Sequence, residues 1–178
     1  EALKRAGLRP AVTDCIKECR PKVFGEFDMT DIQKKYYDYD KGLTPVFVDE
    51  VIMGNVLTAS VGQNRPRQSA IYAGLPEETN VFTVQKVCAS GMKAIEMAKQ
   101  GISLGEGSIY LAGGTESMSN VPFMLTSDAR AGWRMGHHEV TDLMYKDGFH
   151  CPLADQLMGR TAETLRIQYN ISRGEQDE

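Results

Sequence analysis

From Val46 to Gly114 the chain alternates apolar, β-branched runs with helical stretches, and that rhythm constrains the fold more than any other feature. "VFVDEVIMGNVL" is apolar enough for a strand buried on both faces, "NVFTVQKV" reads as a second strand and "SIYLAGG" as a third. Between them lie the helical segment "RQSAIYAG", ended by Gly74, and a longer helix running from just after Cys88 to about Leu104. Strand, helix, strand, helix, strand at these lengths predicts an α/β domain built on a parallel sheet.

The flanks are less regular. Glu1 to Ala6 reads as the last turns of a helix stopped by Gly7, and Ser172 as the cap of a new helix at the C-terminus. Both ends therefore read as cut from a longer polypeptide. From Arg9 to about Pro45 the pattern degrades into a short helix, "MTDIQKKYYDY", and a turn-rich loop, "YYDYDKGLTP". After Ser117 the texture turns to Gly, Pro, Met and polar residues without strand alternation, and "EVTDLMYKDG" is the clearest short helix. The methionines there, Met118, Met124, Met135 and Met144, read as gap fillers in preference to a flexible acyl-chain lining.

Composition removes several classes of function. A formal net charge of -4 with no basic block gives nucleic acid no electrostatic footing. No apolar run reaches the roughly 18 residues of a membrane helix. Four irregularly spaced cysteines imply free thiols in a reducing compartment rather than a disulfide framework. Cys15 with Cys19, Asp38 to Gly42, and His137–His138–Glu139 all lack the spacing of a metal site and read as ordinary polar surface. The glycines form no dinucleotide-binding fingerprint.

The second strand leads into "VCASGMKAIEMA". A cysteine at a strand-to-helix junction faces N–H groups that have no intrahelical partner and that favour the thiolate. Ala89, Ser90 and Gly91 are small enough to let an acyl group approach, and the Cys88 N–H is placed to donate to an oxyanion. Lys93, Glu96, Lys99 and Gln100 form a polar stripe on a mostly buried helix, with Met92, Ile95, Ala98 and Ile102 opposite, while Ala94 and Gly101 would permit close packing. Cys88 reads either as a nucleophile or as a small core hydrophobe.

"VCASGMKAIEMA" and "AGGTESMSNVPFML" closely resemble the thiolases, acyl-CoA acetyltransferases that make or cleave 3-oxoacyl-CoA. "VDEVIMGNVLTASVGQNRPRQSAIYAGLP", "TDLMYKDG" and "LMGRTAETL" extend the resemblance, which looks most like the acetoacetyl-CoA branch. It implies an α/β fold: a thiolase-like N-terminal domain over residues 1–118, a mixed, mostly parallel sheet with packed helices and an unmatched insertion at about 9–47, and the truncated start of an irregular loop domain over 119–178. Cys88 matches the nucleophile that carries the acyl group as a thioester. Met158 matches a residue of the acyl pocket, and Phe149 and Leu157 fall at further pocket and CoA-facing positions, Leu157 standing where the acetoacetyl branch commonly has His. The family's "GHP" histidine, "NEAF" asparagine and second, "CxG" cysteine belong to its C-terminal half and are absent from this sequence.

The implied chemistry is acyl transfer from acetyl-CoA or another acyl-CoA. CoA enters as substrate, and no metal or other cofactor is implied. The implied partner is a second copy or a complementary chain, paired through the sheet edge beside the Cys88 strand, with Gln63, Asn64 and Arg67 near that contact. The compartment would be the cytoplasm or the mitochondrial matrix. Two other readings stand beside this one: a thiolase-derived subunit that binds without turning over, and a different cysteine-dependent condensing enzyme, against which "AGGTESMS" argues.

Overall fold

A computed structural model describes residues 2–10 and 44–178, so the "MTDIQKKYYDY" helix, Cys15, Cys19, Asp38 to Gly42 and most of the 9–47 segment lie outside the described residues. The chain forms two compact units, Glu1–Glu116 and Ser117–Glu178.

In the first unit, helix α1 (Ala2–Arg5) stops at Gly7, whose φ of 72° suits glycine. Strand β1 (Leu8–Pro10) pairs in parallel with β2 (Thr44–Val46). The main sheet has the order β4-β3-β5. Here β3 is Glu50–Gly54, β4 Asn80–Val84 and β5 Tyr110–Gly114, all parallel and in register, with Gly54 level with Val84 and Gly114. Helix α2 (Arg65–Tyr72) leads from β3 outward to β4, and α3 (Ser90–Leu104) leads back across β3 to β5. Right-handed crossovers running in opposite directions place the two helices on opposite faces of the sheet.

The period-2 alternation of the strands fills both sides. Val51, Met53, Val81 and Leu111 point to one face, with Leu3, Val48, Ala70 and Leu75. Ile52, Phe82, Val84 and Tyr110 point to the other, against Ala94 and Ala98 of α3. The strand expected from "VFVDEVIMGNVL" is divided: Val46 ends β2, β3 spans Glu50–Gly54, and Asn55, a buried polar residue, follows its end.

One expectation fails on α3. Its buried stripe is Ser90, Ala94, Ala98 and Gly101, while Met92, Ile95 and Ile102 are 74%, 61% and 51% exposed. The helix lies too close to the sheet for large side chains: a Cβ on Gly101 would stand 2.5 Å from the Tyr110 hydroxyl oxygen. Only small residues fit between them, so the large apolar ones face outward.

The second unit also departs from its reading. Where no strands were expected, β6 (Phe123–Leu125) pairs antiparallel with β7 (Val140–Asp142), and β8 (His150–Cys151) with β9 (Gln156–Leu157). The expected "EVTDLMYKDG" helix is split between β7 and a π-helical turn at Met144–Phe149. The Asp142 carboxylate accepts from the Met144 N–H at 2.8 Å, which ends the strand and starts that turn. Met135 is fully solvent-exposed and Met118 is 45% exposed, so neither fills a gap. Helices α4 (Met158–Tyr169) and α5 (Arg173–Asp177) follow, α5 with the expected Ser172 cap as part of a capping box with Glu175.

Candidate active site

Ligands of open parallel sheets sit beyond the carboxyl ends of the strands. In this sheet those ends are Gly54, Val84 and Gly114, and the turn from Gln85 to Ala89 carries Cys88 across from β4 to the start of α3.

The turn is closely tied. The Ser90 hydroxyl accepts from the Lys86 N–H at 2.8 Å and donates to the Val87 carbonyl at 2.6 Å. The Ala89 and Ser90 N–H groups bond back to the Lys86 and Val87 carbonyls, and Gln85 Oε1 accepts from the Val87 N–H at 3.0 Å. Val87 is thereby held at a φ of 48°, a conformation that a β-branched residue rarely adopts and that costs about 1–3 kcal/mol. Cys88 follows it as an exposed free thiol, two residues ahead of the helix. It lies where the core-hydrophobe reading would not put it.

Beneath the turn, Gly54 presses on the start of α3. A Cβ there would come within 2.7 Å of Gly91 N, of the Ser90 carbonyl carbon and of Ser90 Cβ. Beside it the Glu116 carboxylate accepts from Asn55 Nδ2, Val56 N and Leu57 N at 2.8, 2.9 and 3.1 Å. Ser90 was read from sequence only as a small neighbour, and Asn55 and Glu116 were not singled out. Asn55 directly follows β3 and Glu116 stands two residues after β5, both strands ending in glycine, but nothing in the sequence pairs the two.

The remaining nominated residues belong to the second unit. In the β8–β9 ribbon His150 pairs with Leu157, and Phe149, the last residue of the π-helical turn, and Met158, the first of α4, each adjoin that pair in the chain. The structure thus gathers Phe149, Leu157 and Met158 at one end of a ribbon, each about two-fifths exposed. His150 Nε2 lies 3.3 Å from Asp155, and its ring stacks on Tyr145 at 5.7 Å. A cavity of about 680 Å³ in this unit is lined by Met124, Leu125, Ala129, Arg130 and Lys146 among others, none of them nominated from sequence.

Asn64 and Arg67 have partners within this chain. Asn64 caps α2 and donates to the Val81 carbonyl, and Arg67 donates to the carbonyls of Thr79 and Glu77. Among the described residues no grouping of three or more His, Cys, Asp or Glu could hold a metal, and no helix is long and apolar enough to cross a membrane.

Comparison with known proteins agrees with this geometry. Residues 28–178 match the family model described as thiolase, N-terminal domain. A probable acetyl-CoA acyltransferase of Staphylococcus aureus (strain COL) is 51% identical over 138 residues, which are 78% of this chain and 35% of that protein. Its counterpart in strain MRSA252 is 50% identical over the same length. Among solved structures, acetyl-CoA acetyltransferase from Syntrophomonas wolfei superposes with a TM-score of 0.66 at 41% identity, covering 74% of this chain and 33% of that one. The chain spans about a third of the length of these relatives. On the family match, the sheet it describes and the relatives that share it, this chain belongs to the thiolase family, of which it carries the N-terminal domain.

Proposed function

We propose that this chain supplies the acyl-accepting cysteine of a thiolase-type acyltransferase, with Cys88 as nucleophile and acetyl-CoA or another acyl-CoA as donor. The observation that carries the reading is the exposed Cys88 thiol, set on a left-handed turn at the carboxyl end of a parallel sheet. The names of the relatives, acetyl-CoA acyltransferase and acetyl-CoA acetyltransferase, supply the reaction class.

In the half-reaction, the Cys88 thiolate attacks the thioester carbonyl. The carbon–sulfur bond to Cys88 forms, the bond to CoA breaks, and CoA leaves as a thiolate that takes up a proton. The Cys88 N–H donates to the carbonyl oxygen as negative charge develops on it. As the thiolase resemblance implies, Met158 is an acyl-pocket residue and Phe149 and Leu157 are further pocket and CoA-facing residues, Leu157 being apolar where the acetoacetyl branch commonly has His. Carbon–carbon bond formation or thiolysis then needs an acid and a base outside this sequence. A second copy or a complementary chain, paired at the edge of β4, completes the working unit, and CoA is substrate rather than resident cofactor.

Incubation with acetyl-CoA tests the half-reaction. Intact mass should rise by about 42 Da, one acetyl group held as a thioester, and Cys88→Ser should lose the gain. No gain in the native chain would favour the alternative, a thiolase-derived subunit that binds without turning over.

A further inference from the structure

The geometry points to Glu116, acting through Asn55, as the residue pair that positions the Cys88 turn for acyl transfer. This rests on the reading of Cys88 as the nucleophile. Glu116 follows β5, yet all three hydrogen bonds to its carboxylate come from the loop after β3, from Asn55 Nδ2, Val56 N and Leu57 N. Asn55, 3% exposed, passes the connection on. Its amide also donates to the Thr115 carbonyl at 3.0 Å, and its backbone N–H bonds to the carbonyl of Val84, the last residue of β4. Thr115 N in turn donates to the Gly54 carbonyl at 2.9 Å. Glu116 therefore locks together the ends of β3, β4 and β5. The turn bearing Cys88 begins one residue after Val84, and its far end rests on Gly54.

Two features suit a positioning role better than a purely structural one. The Asn55 amide is committed in one orientation, since both of its acceptors require the NH2 group, and this leaves Asn55 Oδ1 buried with no donor among the described residues. Such an orphan acceptor is costly, and costs of this kind persist where function fixes the geometry. The lock also holds the carbonyl of Val84, three residues ahead of Val87, whose left-handed backbone is a strained conformation that persists only while its surroundings fix it. Loss of the lock would leave an exposed thiol in place but misdirect it, and small misplacements cost acyl transfer far more than simple alkylation.

The test compares two reactions of the same sulfur: acetylation by acetyl-CoA, followed by mass, and alkylation by iodoacetamide. Glu116→Gln and Asn55→Asp should each slow acetylation of Cys88 by about tenfold or more while changing its alkylation less than about twofold. In the double variant the two losses of acetylation rate should be clearly less than additive, because both substitutions break the same hydrogen bond, whereas two independent losses of stability would add. Glu116→Asp, retaining the charge on a shorter arm, serves if Glu116→Gln fails to fold. An unchanged ratio of the two rates in folded variants overturns the proposal while leaving Cys88 as nucleophile. Absence of acetylation in the native chain removes the nucleophile and this proposal with it.

Discussion

The two units are held together by different means. In the first, Val48, Val51, Ile52, Leu75, Ala94 and Ala98 are buried in clusters on both faces of one parallel sheet. In the second, Leu143 is the buried apolar side chain among the described residues. The second unit's features are local: two short ribbons, the Asp142 turn, the Trp133–His138 stack at 4.3 Å and the Ser172–Glu175 capping box. The nucleophile candidate stands on the buried sheet, where a reacting atom is held firmly. The candidate acyl-pocket residues stand on the locally built unit, where shape tolerates variation.

The largest effect should come from the sheet. Ile52→Ala empties a site that is 1% exposed between β4, β5 and α3, and should lower stability by about 4 kcal/mol in urea unfolding. A loss below about 1 kcal/mol would mean that the sheet is not the centre of cohesion. A smaller effect is expected at Asp49, whose carboxylate accepts from Ser108 N and Ile109 N at 2.8 and 2.9 Å and joins the start of β3 to the approach to β5. Those bonds, Ile109 first, hold its pKa below the ordinary 3.8. The folded-state pKa thus lies below the unfolded one. The contribution is full above the unfolded value and is lost as pH falls through the folded value. Asp49→Ala should lower stability by about 2 kcal/mol at neutral pH. The difference from the native chain should shrink below about pH 4, and a gap that stayed constant with pH would rule out the ionised carboxylate as its source. The smallest change belongs to the outer face of α3, where Met92→Gln should shift stability by less than about 0.5 kcal/mol. A larger loss would show that this face is covered in solution.

How much of this the sequence disclosed follows the same division. Where side chains alternate between two buried faces, the pattern in "EVIMG" and "NVFTV" carries the strand assignment, and the helix before Leu104 is found to its last residue. On α3 the close packing expected at Ala94 and Gly101 holds, but Met92, Ile95 and Ile102 were assigned to the packed face for their hydrophobicity, whereas the close approach to the sheet admits only small residues. A large apolar residue signals burial only where there is room for it. In the second unit the strands span two or three residues, too few for any period to register, and local hydrogen bonds decide them instead. The strand-to-helix junction at Cys88 was legible from the apolar run before it and the small residues after it, but the Glu116–Asn55 lock was not, because its partners lie some sixty positions apart in the chain.

The two described thiols in one molecule allow the most direct measurement. Cys88 and Cys151 are both free, and Cys88 alone sits on the turn at the sheet's end. After incubation with acetyl-CoA, peptide-level mass analysis should place the acetyl group on Cys88 and leave Cys151 unmodified, while iodoacetamide labels both. Equal acetylation of the two thiols, or acetylation of Cys151 alone, would contradict the assignment of Cys88 as the acyl carrier.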